Sequence, residues 1–232
     1  MTGPIENKSS VHTELKLTAD GSHTLFVPLI NEHYHSVFGA IQESRHIFIN
    51  AGLNALPENL PAINILEIGF GTGLNALLTC LEKRDSAPCI RYLALERYPL
   101  PIEMTSQLNY PDRLQHVNAS DIFLELHIAE WNKWAAITEM FVLFKLSMDI
   151  HDFTPEKEMF DLVYFDAFGP EVQPEMWTPE VFGKMYMALN RGGILVTYSC
   201  KGMVKRNLKG AGFSLEKLPG PPGKREMLRA TK

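Results

Sequence analysis

Three glycines at alternate positions directly follow an apolar run in the stretch LEIGFGTGLN. Gly69, Gly71 and Gly73 each cost conformational entropy to order, so the chain must need bare backbone at this point. The spacing differs from the G-x-G-x-x-G of dinucleotide sites, because Leu74 stands where the third glycine would be. Glu67 lies two residues before the first glycine, where a phosphate cradle would gain nothing from a carboxylate. The pattern therefore indicates close approach of backbone to a ligand other than a dinucleotide.

Two further carboxylates end apolar runs downstream. Glu96 ends IRYLALE, and Asp166 ends FDLVYFD just before a rigid Gly-Pro turn. A carboxylate only accepts hydrogen bonds, so Glu96 could bind a ligand group that carries hydrogen-bond donors. Asp166 lies beside aromatic residues, where a carboxylate could orient an amine and a dry site would lower the pKa of that amine. We therefore expect Asp166 to be the catalytic residue for an amine substrate.

Strands and helices alternate around these residues. Continuous apolar runs such as AINILEIG are typical of strands that are covered on both faces. SDIFLELHIAEWNKWAAI is predicted to be one long helix capped by Ser120, and FSLEKL and REMLRAT are predicted to form a closing hairpin. This order predicts an α/β fold, a Rossmann-like doubly wound and mostly parallel sheet with an antiparallel C-terminal edge hairpin. Ligands of such a sheet bind at the carboxyl ends of its strands.

The charge is distributed unevenly along the chain. The formal net charge is -5, yet the segment from Arg191 to the end holds ten Lys or Arg against two acids, a balance of +8. The remainder must then carry -13, and a basic end on an acidic body favours a polyanionic partner. The chain has no apolar run of membrane length and no apolar signal core at its polar start. Its three cysteines lack CxxC spacing, so we expect a cytoplasmic protein with reduced thiols and no metal site.

The pattern E-x-G-x-G-x-G resembles the first motif of the class I S-adenosylmethionine-dependent methyltransferases. The resemblance implies that Glu67 and the glycines hold the methionine portion and sugar of the cofactor, and that Glu96 accepts the ribose hydroxyls. A third acid would contact adenine, and Asp149 fits best, with Asp152 as the alternative. The residues assigned to S-adenosyl-L-methionine in this way are Tyr34, Ser36, Glu67, Gly69, Gly71, Gly73, Asn75, Glu96 and Asp149.

Four longer motifs, EIGFGTGLN, DAFGPEVQPEMWTPEVF, MVKRNLKGAGF and PGKREML, occur in order. They resemble successive motifs of the methyltransferase domain of the bifunctional tRNA 5-methylaminomethyl-2-thiouridine biosynthesis proteins, and NEHYHSVFGAIQESRHIFINAGL is similar to the N-terminal segment of that domain. The resemblance implies methylation of the primary amine of 5-aminomethyl-(2-thio)uridine at the tRNA wobble position. It also implies an N-terminal extension, residues 1–61, closing over the cofactor site, and a single methyltransferase unit, residues 62–232.

The same resemblance implies two groups of substrate-binding residues. Those of the methyl-acceptor pocket are Phe168, Pro170, Pro174 and Trp177, with Phe168 or Trp177 available to stack on the unpaired base. Those that would grip phosphates of the anticodon arm are Lys205, Arg206, Lys224 and Arg225.

Some positions depart from the family pattern. Ala167 replaces the usual glycine, Gln173 the usual asparagine and Lys205 the usual arginine, and no glycine precedes Asp149. The sequence ends at Lys232, without the FAD-dependent oxidoreductase domain of the bifunctional family. We therefore expect methylation alone, with no FAD and no metal, and a separate enzyme that supplies the aminomethyl uridine.

Two other classes of function use the same features differently. A small-molecule or protein amine methyltransferase, or an aminopropyltransferase, would use a related cofactor, but the basic C-terminal end would repel a small cationic amine. A non-catalytic RNA-binding module would keep the fold without turnover, and the intact glycines and Glu96 argue against it.

Overall fold

The computed structural model describes residues 12–82 and 88–232 of the chain, so the polar start that argues against export lies largely outside the described residues. A small antiparallel sheet is formed by β1 (Glu14–Leu17), β2 (His23–Val27) and β3 (Glu32–His33). The strands of the main sheet are β4 (Ala62–Ile68), β5 (Cys89–Glu96), β6 (Trp134–Thr138), β7 (Phe141–Ser147), β8 (Phe160–Phe165), β9 (Leu189–Thr197), β10 (Ser214–Pro219) and β11 (Glu226–Thr231).

The main sheet has eight strands in the order β10-β11-β9-β8-β4-β5-β7-β6. Its five central strands are parallel, and β4 lies between β5 and β8, so the strand order reverses beside β4. Strand β11 pairs antiparallel with both β9 and β10, which confirms the predicted C-terminal hairpin. The doubly wound fold is therefore confirmed, with its ligand crevice expected at the carboxyl end of β4.

Helices cover both faces of this sheet. They are α1 (Ala40–Ser44), α2 (Leu74–Leu81), α3 (Ile102–Thr105), α4 (Tyr110–Leu114), α5 (Ala119–Ile128), α6 (Pro179–Ala188) and α7 (Gly202–Gly210). A π-helical turn (Arg45–Asn50) and 3-10 turns (Leu53–Ala55 and Pro174–Trp177) complete them. The apolar spacing of AIQESRHIFINAGLNAL predicts one helix, but the structure splits this stretch into three short pieces. The stretch LNALLTCLEKR predicts a helix that reaches residue 84, and residues 83–84 lie outside the described residues.

The core lies on both faces of the sheet because successive strand side chains point in opposite directions. On β4, Ile63 and Ile65 pack into one apolar cluster, and Leu66 and Ile68 pack into the other. All four side chains are buried, as the continuous apolar run predicts for a central parallel strand.

The prediction of one long helix over residues 120–137 is wrong in two respects. Helix α5 begins at Ala119, with Asn118 rather than Ser120 in the cap position, and it ends at Ile128. Asn132 then adopts a left-handed conformation with φ of 62°, and Trp134 begins an edge strand that pairs with β7. The ring of Trp134 packs on Phe144 at 5.2 Å between centroids, and this cross-strand pair stabilises a strand at the position where a helix was expected.

Candidate active site

One cavity of about 960 Å³ opens where β4, β5 and β8 end. This volume lies within the range of ~300–1,000 Å³ that is typical of small-molecule sites. Its walls come from the glycine loop after β4, from the segment around Tyr34, and from the turn between β10 and β11. Glu96 and Asp166 both line it, so the structure brings the two predicted strand-end carboxylates to one site.

The glycine loop has no room for side chains. Gly69 has a φ of +91°, and a Cβ there would lie 2.6 Å from the carbonyl oxygen of Asp166. Gly71 has a φ of +49°, and its Cβ would lie 3.1 Å from the ring of Tyr34. Gly73 caps α2 in the left-handed conformation with a φ of 72°. The bare backbone therefore lets two crossover loops and the N-terminal segment meet at the cavity wall.

Glu96 is held by the backbone of this loop. The amide of Gly71 donates to one carboxylate oxygen at 3.0 Å, and the amide of Tyr98 donates to the other at 2.7 Å. Burial raises the pKa of Glu96, while these backbone donors oppose the rise. Each oxygen keeps a lone pair for a further donor, so the carboxylate can still accept two hydroxyls from a ligand in the cavity.

Asn75 connects two carboxylates at the base of the cavity. Its side-chain nitrogen donates to Glu67 at 3.0 Å and to Asp166 at 2.9 Å. Glu67 is fully buried and does not line the cavity, so the structure places it behind Asn75 rather than in direct reach of a ligand. Burial raises the pKa of Glu67 well above its ordinary value. Burial also raises the pKa of Asp166, to about 7, although the Asn75 donor opposes that rise.

The N-terminal segment forms the opposite wall. Tyr34 and Ser36 line the cavity, and the ring of Tyr34 meets Phe168 edge to face at 5.0 Å between centroids. His35 contacts the hydroxyl of Thr72 in the glycine loop at 2.7 Å. Burial lowers the pKa of His35 to about 4, which makes it neutral at physiological pH. This wall is thus attached directly to the loop that it faces.

Asp149 lies at the cavity rim beyond β7. Arg97 contacts its carboxylate at 2.5 Å, and the amide of His151 donates to it at 2.9 Å. Asp149 and Arg97 both line the cavity, whereas Asp152 is exposed and lies outside the lining. Of the two acids considered for adenine, only Asp149 therefore faces the cavity.

The predicted acceptor residues divide into two groups. Phe168 and Pro170 line the cavity, whereas Pro174 is exposed outside it. Trp177 is fully buried; its indole nitrogen donates to the carbonyl of Phe168 at 2.8 Å. The expectation that Trp177 stacks on a base is thus wrong, because its ring packs in the core and supports the loop instead. The neighbouring side chains that do line the cavity are Gln173, Glu175 and Met176.

The basic residues of the C-terminal end are also divided. Six of them form ion pairs within the chain, namely Arg191, Lys201, Lys217, Lys224, Arg229 and Lys232. Lys205, Arg206, Lys209 and Arg225 form no direct ion pair among the described residues, although Lys205 and Arg225 act on Glu226, whose pKa is lowered mainly by Lys217. Arg225 lies at the cavity rim, and the other three lie on α7, outside the cavity. Lys209 was not among the residues predicted to contact phosphates, although it lies on the same helix as Lys205.

Two residues that the sequence did not single out also line the cavity. Glu43 forms an ion pair with Lys224, and the Nζ of Lys224 lies 4.1 Å from the centroid of the Tyr198 ring. Glu43 belongs to the N-terminal stretch that carries the family resemblance, so a signal for it was present. Tyr198 follows β9 as one aromatic among several, and no spacing distinguished it.

The described residues contain no group of three His, Cys, Asp or Glu side chains that could hold a metal ion. Within residues 12–82 and 88–232, every helix is too short or too polar to cross a bilayer.

The chain is similar in sequence to known proteins over most of its length. Residues 135–232 match a family of S-adenosyl-L-methionine-dependent methyltransferases. The tRNA 5-methylaminomethyl-2-thiouridine biosynthesis bifunctional protein MnmC of Cupriavidus metallidurans is 32% identical over 91% of this chain and 32% of its own length. The protein of the same name from Idiomarina loihiensis is 31% identical over 84% of this chain and 34% of its own length. The chain thus spans about a third of these relatives.

Solved structures agree with this relationship. MnmC2 from Aquifex aeolicus matches with a TM-score of 0.75 and 28% identity, covering 97% of this chain and 71% of that one. A spermidine synthase bound to a transition-state analogue matches with a TM-score of 0.55 and 15% identity, covering 96% of this chain and 73% of that one, and this likeness shows a shared fold alone. The chain therefore belongs to the S-adenosyl-L-methionine-dependent methyltransferases, in the family formed by the methyltransferase portion of the tRNA 5-methylaminomethyl-2-thiouridine biosynthesis proteins.

Proposed function

We propose that this chain methylates the primary amine of 5-aminomethyl-(2-thio)uridine at the wobble position of tRNA. The observation that carries the proposal is the position of Asp166, which faces the same cavity as the glycine loop and Glu96. A cofactor seated on that loop would have its reactive end close to a carboxylate. The relatives indicate the nucleoside, since they are biosynthesis proteins for 5-methylaminomethyl-2-thiouridine.

The residues of the cavity fit S-adenosyl-L-methionine. Gly71 leaves space that a Cβ would fill, and Glu96 offers two oxygens to the ribose hydroxyls. Asn75 lies between Glu67 and the cavity, so Glu67 would act on the methionine amine through Asn75. Asp149 would accept a hydrogen bond from the adenine amino group at the rim of the cavity. When bound, the cofactor supplies an electrophilic methyl group on a sulfonium.

Asp166 would prepare the amine for transfer. An alkyl amine is largely protonated at neutral pH, and only its neutral form has a lone pair. A carboxyl with a pKa of about 7 is ionised often enough to accept that proton, or to orient the amine by a hydrogen bond. The neutral nitrogen that Asp166 orients could then take the methyl group that the cofactor would supply, and the electron pair of the broken carbon–sulfur bond would stay on sulfur. Holding the nitrogen about 3 Å from that carbon supplies much of the rate.

The anticodon arm would lie across the basic end of the chain. The wobble base is in a single-stranded loop, so it can leave the stack and enter the cavity beside Phe168 and Pro170. Lys205, Arg206 and Arg225 form no direct ion pair among the described residues, so their charged groups would be available to contact phosphates. Their charge would repel a small cationic amine, which disfavours a polyamine substrate.

The proposal has consequences for organisation and partners. The segment 1–61 would close over the cofactor, since Tyr34 and Ser36 line its cavity, and residues 62–232 would form the methyltransferase unit. Methyl transfer consumes a primary amine but does not create one, so a separate active site must expose it. A tRNA substrate places the reaction in the cytoplasm.

The test is transfer of label from S-adenosyl-L-methionine to tRNA isolated from cells that lack the modification. After digestion, label in 5-methylaminomethyl-(2-thio)uridine would support the proposal. Label on protein or on a small amine, with none on uridine, would contradict it.

A further inference from the structure

An ion pair joins the N-terminal segment to the C-terminal hairpin at the cavity. Glu43 lies on α1, and Lys224 lies in the turn between β10 and β11. The exposed fraction is 9% for the Glu43 side chain and 31% for that of Lys224. Both residues line the cavity that holds Asp166. Because the Glu43 carboxylate is largely buried, removing one partner of this ion pair should cost more than it would in an exposed surface pair.

The two partners are held by further contacts. Glu43 accepts a hydrogen bond from the amide of Ser36 at 2.8 Å. The Nζ of Lys224 lies over the ring of Tyr198, whose hydroxyl donates to the carbonyl of Ala167 at 2.9 Å. Ala167 directly follows Asp166, so Tyr198 connects Lys224 to the residue next to Asp166.

The surrounding backbone leaves little freedom. A Cβ on Gly223, next to Lys224, would lie 2.2 Å from the ring of Phe38 in the N-terminal segment. The ring of His46 contacts the carbonyl of Pro219 at 2.8 Å on the same hairpin. The turn and the segment therefore pack closely, which fixes where the ion pair lies.

The pair also bears on the charge of the cavity. A lone lysine would repel a cationic amine, and Glu43 compensates that charge. Lys224 lowers the pKa of Asp166, whereas Glu43 raises it. The other titratable groups that act electrostatically on Asp166 or are acted on by it are Glu67 from β4, Tyr92 from β5 and Tyr198 after β9.

We propose that Glu43 and Lys224 are positioning residues for methyl transfer, fixing the hairpin turn against the N-terminal segment and balancing the charge around Asp166. The inference rests on the proposed function. It differs from the expectation that Lys224 grips a phosphate, because its charge is already compensated inside the chain.

The test is the pH dependence of kcat/KM for tRNA methylation in Lys224→Met, Glu43→Gln and the double variant. Asp166 must be ionised, so activity falls as the pH drops through its pKa. Lys224→Met removes a cation and should move the acidic limb up by about one unit, at the lower end of the effect of a nearby charge. Glu43→Gln should move it down, and the double variant should return it close to the wild-type position. Lys224→Arg should leave it unchanged.

The matched control is the Arg229 and Glu216 pair on the same hairpin, which lies outside the cavity lining. Arg229→Met and Glu216→Gln should leave the limb in place. The inference would be overturned if the acidic limb moved in the same direction in Lys224→Met and Glu43→Gln, or did not move, while both variants bound S-adenosyl-L-methionine normally. Loss of turnover in every folded Lys224 variant, including Lys224→Arg, would overturn it as well.

Activity of the wild-type chain separates failure of the proposed function from failure of the positioning role. If it transfers no methyl group to tRNA, the proposed function fails and this inference fails with it. If it transfers the group but the limb does not move in the variants, the inference alone fails.

Discussion

The side-chain amide of Asn75 donates to the carboxylate of Asp166 at 2.9 Å. The same nitrogen donates to Glu67 at 3.0 Å, so one amide orients two carboxylates that would otherwise repel each other. The donor opposes the rise in the pKa of Asp166 that burial causes. The Asn75 side chain therefore connects the end of the glycine loop to the end of β8, where the amine substrate is expected.

Replacing Asn75 with alanine should therefore shift the pH profile. Without the donor the pKa of Asp166 rises further above about 7, and kcat/KM should be lost at a higher pH than in the wild type. Buried Glu67 also loses a partner, which should lower the free energy of unfolding by about 1–3 kcal/mol. Asn54→Ala is the control, since its exposed amide donates to Glu82 at 2.8 Å. An unmoved profile in Asn75→Ala would show that the amide does not set the charge of Asp166.

Gly71→Ala should weaken cofactor binding. Its φ of +49° is unfavourable for alanine, and the new methyl group would meet the ring of Tyr34 at 3.1 Å. Calorimetry should show at least about a tenfold rise in the Kd of S-adenosyl-L-methionine, as ~1.4 kcal/mol of strain would give. Gly183→Ala in α6, where a Cβ meets nothing within 4 Å, should bind normally. Equal affinities in the two variants would contradict the assigned role of the loop.

Glu96→Gln tests the ribose contact. The amide cannot accept at both ends, so one hydroxyl partner and one backbone partner are lost. Hydrogen bonds to a charged group contribute about 1.5–3 kcal/mol, which predicts a Kd for the cofactor raised by roughly 10- to 100-fold. Glu103→Gln on the exposed side of α3 serves as the control. Binding that survives the Glu96 change would place the ribose elsewhere.

The basic face of α7 should govern the salt dependence of tRNA binding. Changing Lys205 and Arg206 to alanine should raise the KM for tRNA and flatten its dependence on salt by about one counterion per lost contact. The kcat and the affinity for S-adenosyl-L-methionine should stay the same, because neither residue lines the cavity. Arg191→Ala, whose side chain is 92% exposed beside Glu158, is the control. A salt slope identical to that of the wild type would remove α7 from the tRNA interface.

The central sheet and its two strand-end acids could be predicted from the sequence because the signals are local. An apolar run that ends in a carboxylate marks Glu96 and Asp166, and parallel strands bring such ends together. The glycine loop was likewise visible from its spacing alone. The structure then gives the physical reason, which is the approach of Gly69 to the carbonyl of Asp166.

What could not be predicted depends on packing between distant segments. Glu43 and Lys224 are 181 positions apart, and no local pattern pairs them. The burial of Trp177 depends on its contacts with Phe165 and Phe182, although its flanking prolines indicate an exposed loop. The edge strand at Trp134 was mistaken for a continuation of the helix, because no glycine or proline marks the break at the left-handed Asn132.

The Asp166→Asn variant, measured for methyl transfer to tRNA and for cofactor binding, tests whether Asp166 prepares the amine. Asparagine keeps the shape of the side chain but cannot accept the proton of the amine. Turnover should fall by about 100-fold or more, as expected for loss of a general base, while the Kd for S-adenosyl-L-methionine changes by only a few fold. Turnover equal to that of the wild type, with binding intact, would show that Asp166 has no part in methyl transfer.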